Sequence, residues 1–238
     1  MNNWKKIWES RKDTLDNVDD KNWREVFAEL KRIDGYDSAE LTATLVESFI
    51  YQHEKLSDAL NLSAGQTVFE VGCGAGANLY LFARDGYTVG GLDYSSALID
   101  IARKVLPAEK VSELICVGAD ELPTEKIYDA VVSIGVFGYF DDFNYAVRVL
   151  EKMLLKSRRA IAVLDVYDAA TEADHLAYRR RTIENYDERY KDLHKIFYPK
   201  TFFEDFAARH NLSIRFDAND LKDYVNGQFT YNCFMEKV

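Results

Sequence analysis

TVFEVGCGAGANL, residues 67–79, is a five-residue apolar run followed by Gly72, Gly74 and Gly76 and then by the start of a helical stretch. Glycines placed so suit a tight turn where a ligand comes close to the backbone while amides at a helix N-terminus stay free to donate. Asp93 lies twenty-one positions after Gly72, at the end of the next apolar run, YTVGGLD. A carboxylate there can accept both hydroxyls of a ribose. A glycine loop alone is as readily structural; the strand before it, the helix after it and the acid at that distance together point to an adenosine-containing cofactor.

Glycine spacing separates the cofactors. Dinucleotide enzymes favour G-x-G-x-x-G, which receives a pyrophosphate. Here the loop reads G-x-G-x-G with Glu70 just before it. That carboxylate would repel a pyrophosphate and suits a ligand bearing an ammonium and a sulfonium.

Away from the loop the hydrophobic period changes near Gly65. Before it, Trp23, Val26, Phe27, Leu30 and Ile33 recur at helical spacing, as do Leu41, Leu45, Phe49, Leu56 and Leu60, with Asp37 or Ser38 placed to cap the second helix. Residues 1–62 therefore read as a helical extension or lid, and 63–238 as the main domain. After Gly65, TVFEV, YTVGGLD, ELICVG, YDAVVSIGV and RRAIAVLDV alternate with mostly helical stretches, the pattern of βαβ crossovers and a parallel sheet with helices on both faces. LSIRFDA and FTYNCFMEKV add two strands joined around Asn226-Gly227, a hairpin dipeptide. The expectation is a Rossmann-like α/β sheet of seven strands, mostly parallel with a C-terminal antiparallel hairpin, and a helical insertion after the fifth strand over about 168–200.

Composition excludes several classes. With 238 residues, 47% hydrophobic and 29% charged, the chain is neither disordered nor fibrous. A formal net charge of −10 argues against nucleic acid and anionic membrane surfaces as partners. Cys73, Cys116 and Cys233 are widely separated, which fits neither a disulfide framework nor a metal cluster and suits a reducing cytoplasm. The opening MNNWKKIWESRKDTLD is too polar for a signal peptide, and no stretch approaches a membrane span.

EVGCGAG, GGLDYSSALIDIA, GADELP and YDAVVSIGVFGYF, in that order, make residues 65–165 resemble the class I S-adenosylmethionine-dependent methyltransferases, with the tail matching in outline. The resemblance implies S-adenosylmethionine as cofactor and S-adenosylhomocysteine as product. It implies that Glu70, Gly72, Cys73, Gly74 and Gly76 line the methionine end, that Asp93 holds the ribose, and that Tyr94 lies against the adenine with Ser95 beside it. Asp120 would contact the adenine amino group, with Glu121 beside it and Leu122 near the ring plane. Ile134 and Gly135 would meet the amino-acid part through backbone groups. Trp4 and Trp8, on one helical face with Arg11 a turn later, are similar to a tryptophan pair near the N-terminus of thiopurine-type methyltransferases; Trp8 is then a cofactor contact, although core or helix-docking tryptophans are the better explanation of the pair.

For the acceptor, the sequence offers candidates and no single base. Substrates lie beyond the carboxyl ends of the strands, which singles out Tyr139 after the fourth, and Asp165, Tyr167 and Asp168 after the fifth. His175 and His194 lie in the insertion. Arg179, Arg180 and Arg181 read either as a solvated helix face or as the clamp for a carboxylate or phosphate on the substrate. SIGVFGYF lacks the Asn/Asp-Pro-Pro-Tyr motif of nucleobase methyltransferases and the paired glutamates of protein arginine methyltransferases. Asp141 and Asp142 look like helix caps, so no metal is expected. What remains is methyl transfer to an oxygen or nitrogen of a small metabolite by a monomer or homodimer, loosely similar to bacterial enzymes of small-metabolite or sugar modification. Two rivals stand beside it: a non-catalytic adenosyl-cofactor-binding partner protein, and a nucleotide-dependent oxidoreductase, whose Tyr-x-x-x-Lys pair occurs here only as Tyr51 and Lys55, before the loop.

Overall fold

The structure is a computed structural model and describes residues 4–9, 22–36 and 41–238. Strands β1 (Thr67–Val71), β2 (Thr88–Asp93), β3 (Val111–Cys116), β4 (Tyr128–Ile134), β5 (Ser157–Tyr167), β6 (Leu212–Ala218) and β7 (Thr230–Lys237) form one sheet in the order β3-β2-β1-β4-β5-β7-β6. Every neighbouring pair from β3 to β5 is parallel, and β7 runs antiparallel to both β5 and β6. Strand order reverses between β1 and β4, so the chain departs from their carboxyl ends in opposite directions and leaves a crevice there.

Strand residues alternate between two cores. Phe69, Val71, Val131, Ile161 and Val163 pack under Val149, Leu150 and Met153 of α6 (Phe143–Lys156) and Phe203 and Phe206 of α9 (Lys200–Arg209). Val68, Val89, Ala130, Val132 and Ala162 face the opposite way, against α4 (Ala77–Arg84) and α5 (Ser96–Val105) through Leu79, Phe82, Ile99 and Ala102. Fully burying each Val, Leu, Ile, Phe or Met among them contributes roughly 1.5–3 kcal/mol. Of the N-terminal helices α1 (Trp4–Glu9), α2 (Trp23–Ile33) and α3 (Ala43–Ala59), the last joins the second core, which takes in its Leu56 and the following Leu60. No helix among the described residues is long and apolar enough to cross a membrane.

Three expectations from sequence are corrected. Thr42, whose hydroxyl accepts from the Leu45 amide, caps α3; Asp37 and Ser38 lie outside the described residues, as does Arg11. The antiparallel pair is present, but Asn226-Gly227 is not its turn: both residues sit in a 3-10 segment, Val225–Phe229, within the connection from β6 to β7. Gly227 packs against the Asn219 carbonyl, where a Cβ would come within 2.7 Å, so its glycine answers a close approach. The insertion expected to be helical over about 168–200 forms only a short 3-10 turn, α7 (Glu172–Thr182) and α8 (Tyr186–Arg189), with an irregular run before Pro199 and α9.

Candidate functional site

The crevice at the strand reversal opens into a cavity of about 800 Å³, a volume typical of small-molecule sites. The glycine loop forms one wall. Gly72, Gly74 and Gly76 all have positive φ, and the Gly72 and Cys73 amides donate to the Leu92 carbonyl, tying the loop to the end of β2. Gly74 must be glycine for a second reason. A Cβ there would lie 2.2 Å from Asp34 Oδ1, an oxygen already accepting from the Ala75 amide at 2.7 Å.

Asp93 stands at the end of β2 beside this loop. Its Oδ2 accepts from the Gly74 amide at 3.1 Å and its Oδ1 from the Ser95 amide at 2.8 Å, leaving lone pairs for a ligand. Burial raises its pKa, and the backbone donors act against that rise. Glu70, buried in β1, accepts from Asn78 Nδ2 at 2.6 Å, and Lys31 Nζ donates to Asn78 Oδ1 at 2.9 Å. Burial holds the Glu70 carboxyl well above the usual range and lowers the Lys31 ammonium. Glu70 Oε2 is buried without a hydrogen-bond partner, so this polar chain ends on an orphaned oxygen. Asp34, Asp93, Asp120, Glu121 and Asp141 make this end of the cavity acidic, with Lys31 its one cationic wall residue among those described.

The other end belongs to β5, the insertion and the connection from β6 to β7. Asp165 has left-handed backbone, φ 58°, a conformation that costs an ordinary residue roughly 1–2 kcal/mol. Its surroundings hold it there: Tyr224 donates to Oδ2 at 2.6 Å, Asn219 to Oδ1 at 3.1 Å, and the Asp165 amide donates to Asn232 Oδ1 at 3.1 Å. Lys195 donates to the Tyr167 hydroxyl, and Arg179 and Arg189 complete a cationic group on the wall. Trp4 of α1 roofs the junction of the two ends, donating through Nε1 to the His194 carbonyl at 2.9 Å and meeting Tyr139 edge-on at 4.9 Å.

Of the sequence-derived candidates, Trp8, Gly72, Cys73, Gly74, Asp93, Tyr94, Asp120, Glu121, Ile134, Gly135 and Tyr139 line the cavity. Four cofactor-side candidates fall elsewhere. Glu70 reaches the wall only through Asn78, and Gly76 begins α4 with its Cα turned to Ala102. Ser95 caps α5 and Leu122 is plain core. Asp142 caps α6 as expected, whereas Asp141 joins the cavity wall.

Three of the four catalytic candidates are not on the wall. Asp168 caps a short turn by accepting from the Ala170 amide, and the His194 side chain is exposed. His175 is buried among Tyr167, Phe197 and Phe229, its ring centroid 5.1–5.3 Å from theirs. Neither of its ring nitrogens has a partner, and burial pushes its pKa down to about 4. A group whose folded pKa lies below its ordinary 6.5 withholds stability as pH falls from about 6.5 towards 4, because the unfolded chain takes up the proton first. His175→Leu is therefore expected to raise Tm, by roughly 2–4 °C per ~1 kcal/mol gained. The gain should widen as pH falls through that window. Calorimetry at pH 7.5 and 5.5 checks this, and a lower Tm for the variant at both would sink it.

Sequence reasoning missed Lys31, Asp34, Tyr36, Asn78, Arg189, Lys195 and Tyr224, all on the wall. A signal existed for Lys31, which falls four residues after Phe27 on the apolar face of α2. Lys195, in an irregular run, offered no periodicity to read.

Residues 69–161 match the family described as Methyltransferase domain. Over 89 residues, 37% of this chain, the sequence is 32% identical to malonyl-[acyl-carrier protein] O-methyltransferase of Priestia megaterium (strain DSM 319 / IMG 1521). The matched stretch spans 32% of that relative's length. In fold, the chain is similar to magnesium protoporphyrin IX methyltransferase of Synechocystis PCC 6803 with bound SAM, at TM-score 0.61 and 15% identity over 94% of this chain and 100% of that one. It is also similar to the plantazolicin methyltransferase BpumL in complex with SAH, at TM-score 0.62 and 16% identity over 92% and 95% of the two chains.

Proposed function

We propose that this chain is a class I S-adenosylmethionine-dependent methyltransferase, a reading supported by its fold and by its family match over 69–161, and that it moves a methyl group from S-adenosylmethionine to an oxygen of a small molecule. The observation that carries the reading is the division of the cavity. One end combines the glycine loop, Asp93 and several acids, and the other is walled by the insertion and β5.

The residues at the first end fit the cofactor. The loop leaves room where Gly74 has no side chain, and acids surround a ligand that brings a sulfonium and an ammonium. In this reading Asp93 accepts from the ribose, Tyr94, Asp120 and Glu121 bound the adenine, Ile134 and Gly135 present backbone groups to the amino-acid part, and Lys31 pairs with its carboxylate. Bound there, the cofactor supplies an already activated methyl group. The chain's own task is then alignment and exclusion of water, performed by Trp4, Trp8 and Tyr139 where the two ends meet. The malonyl-carrier relative, named as an O-methyltransferase, supports oxygen over nitrogen.

Isothermal titration calorimetry with S-adenosylmethionine, S-adenosylhomocysteine and NADPH tests the reading. Micromolar binding of the two adenosyl ligands and none of NADPH is expected. Preference for NADPH would restore the oxidoreductase, and adenosyl binding without transfer to any acceptor of a broad panel would favour the non-catalytic partner.

A further inference from the structure

The three consecutive arginines of α7 divide their work. Arg180 pairs with Asp187 at 3.0 Å on the surface, and Arg181 lies over the Tyr178 ring at 5.6 Å. Arg179 alone reaches the cavity wall, beside the rings of Tyr186 and Tyr190. Lys195 is on the same wall, boxed by Tyr167 at 4.1 Å, Tyr139 at 5.2 Å and Trp4 at 6.0 Å from its Nζ to each ring centroid. An ammonium has three donors, and among the described residues Lys195 spends one, on the Tyr167 hydroxyl.

No carboxylate of the described residues lies within 4.0 Å of Lys195 or Arg179. Asp165 attracts Lys195 from farther off, but its oxygens are engaged by Tyr224 and Asn219. Burial and the neighbouring Arg179 push the Lys195 pKa down to about 7, against the pull of Asp165. Lys195 and Arg179 are half-buried, and in a chain of net charge −10 a cationic recess that faces a cavity and is paired by no carboxylate of the described residues is a place for an anion. The walls around it are flat: Trp4, Tyr139, Tyr167 and Tyr190.

We propose that the methyl acceptor is an organic anion, a carboxylate or phosphate on a flat apolar body, whose acidic group is received by Lys195 and Arg179. This rests on the methyltransferase reading and names the acceptor class within it. The group reached by the Lys195 ammonium and the Arg179 fork is held by charge-assisted hydrogen bonds, and the aromatic walls receive its body.

The test titrates protein saturated with S-adenosylhomocysteine with 2-naphthoate, 2-naphthyl phosphate and the neutral 2-naphthamide. At least one anion should bind roughly tenfold or more tightly than the amide, and the better anion tells carboxylate from phosphate. Lys195→Met and Arg179→Gln should each weaken that anion roughly tenfold, while Lys195→Arg restores most of the loss. S-adenosylhomocysteine affinity, measured on each variant, reports that the fold and cofactor end are intact; should Lys195→Met lose it, Arg179→Gln and Lys195→Arg decide. Amide binding as tight as both anions, no binding of either anion, or an anion affinity indifferent to these substitutions overturns the proposal. Failure of the parent protein to bind S-adenosylhomocysteine would instead overturn the methyltransferase reading itself.

Discussion

Asp93→Ala is expected to weaken S-adenosylhomocysteine binding by at least ~1.5 kcal/mol, more than tenfold in Kd. The substitution removes the charged partner proposed for two ribose hydroxyls. It also strips the Gly74 and Ser95 amides of their acceptor, so the loop and the start of α5 lose a shared anchor. Asp93→Asn separates the two losses. It keeps one oxygen and the shape but offers an NH2 to one of two donors, so its affinity should fall between parent and alanine. Calorimetry on proteins shown to be folded by their thermal transitions is the measurement. Parent-like affinity in the alanine variant would mean that the ligand's hydroxyls sit elsewhere.

Gly91→Ala should destabilise the fold by roughly 1–3 kcal/mol and damage the site with it. The sheet passes between helices at Gly90-Gly91, and each glycine lies against a different side. A Cβ on Gly90 would stand 2.3 Å from the Tyr128 hydroxyl, and one on Gly91 would stand 2.8 Å from both Cys73 Sγ and Leu79 Cδ1. Cys73 lies in the glycine loop between Gly72 and Gly74, and Leu79 lies in the first turn of α4. A single methyl on β2 thus presses on the element proposed to receive the cofactor. Urea titration should show a lower midpoint, with cofactor affinity reduced in the variant that remains folded. An unchanged midpoint would show that Cys73 and Leu79 can move aside without loss.

The alternation of five apolar runs with helical stretches was enough to place β1 to β5, because strand and helix periods are local properties of the chain, whereas the strand order that puts the crevice between β1 and β4 is seen only in the structure. Asp93 stands at the end of β2, where its distance from Gly72 put it, for the same reason. Legibility failed where position depends on distant neighbours. Asn226-Gly227 carries the composition of a hairpin turn, but Gly227 answers to the Asn219 carbonyl, a contact no local rule contains. His175 has the chemistry of a base, yet α7 turns it into an aromatic pocket away from the cavity. Asp168 and Leu122 sat beside true wall residues in sequence, and the turn and the core claimed them. Lys195 and Tyr224 were overlooked because irregular segments bring them to the wall, where only the tertiary arrangement makes them neighbours of Asp165.

Asp165 joins parts of the chain that are made far apart in time. Its carboxylate is held from the connection between β6 and β7 by Asn219 and Tyr224, and its amide by Asn232 of β7. β7 itself must slot between β5 and β6, which pairs residue 160 with residue 236. A ribosome that has released everything through α6 has delivered the glycine loop and Asp93, but the floor beyond β5 still awaits the last strand. Such long-range closures form slowly and late. The end of the cavity proposed for the methyl donor is therefore synthesised first, and loss of the final strand would forfeit the end proposed for the acceptor while sparing the sequence of the glycine loop.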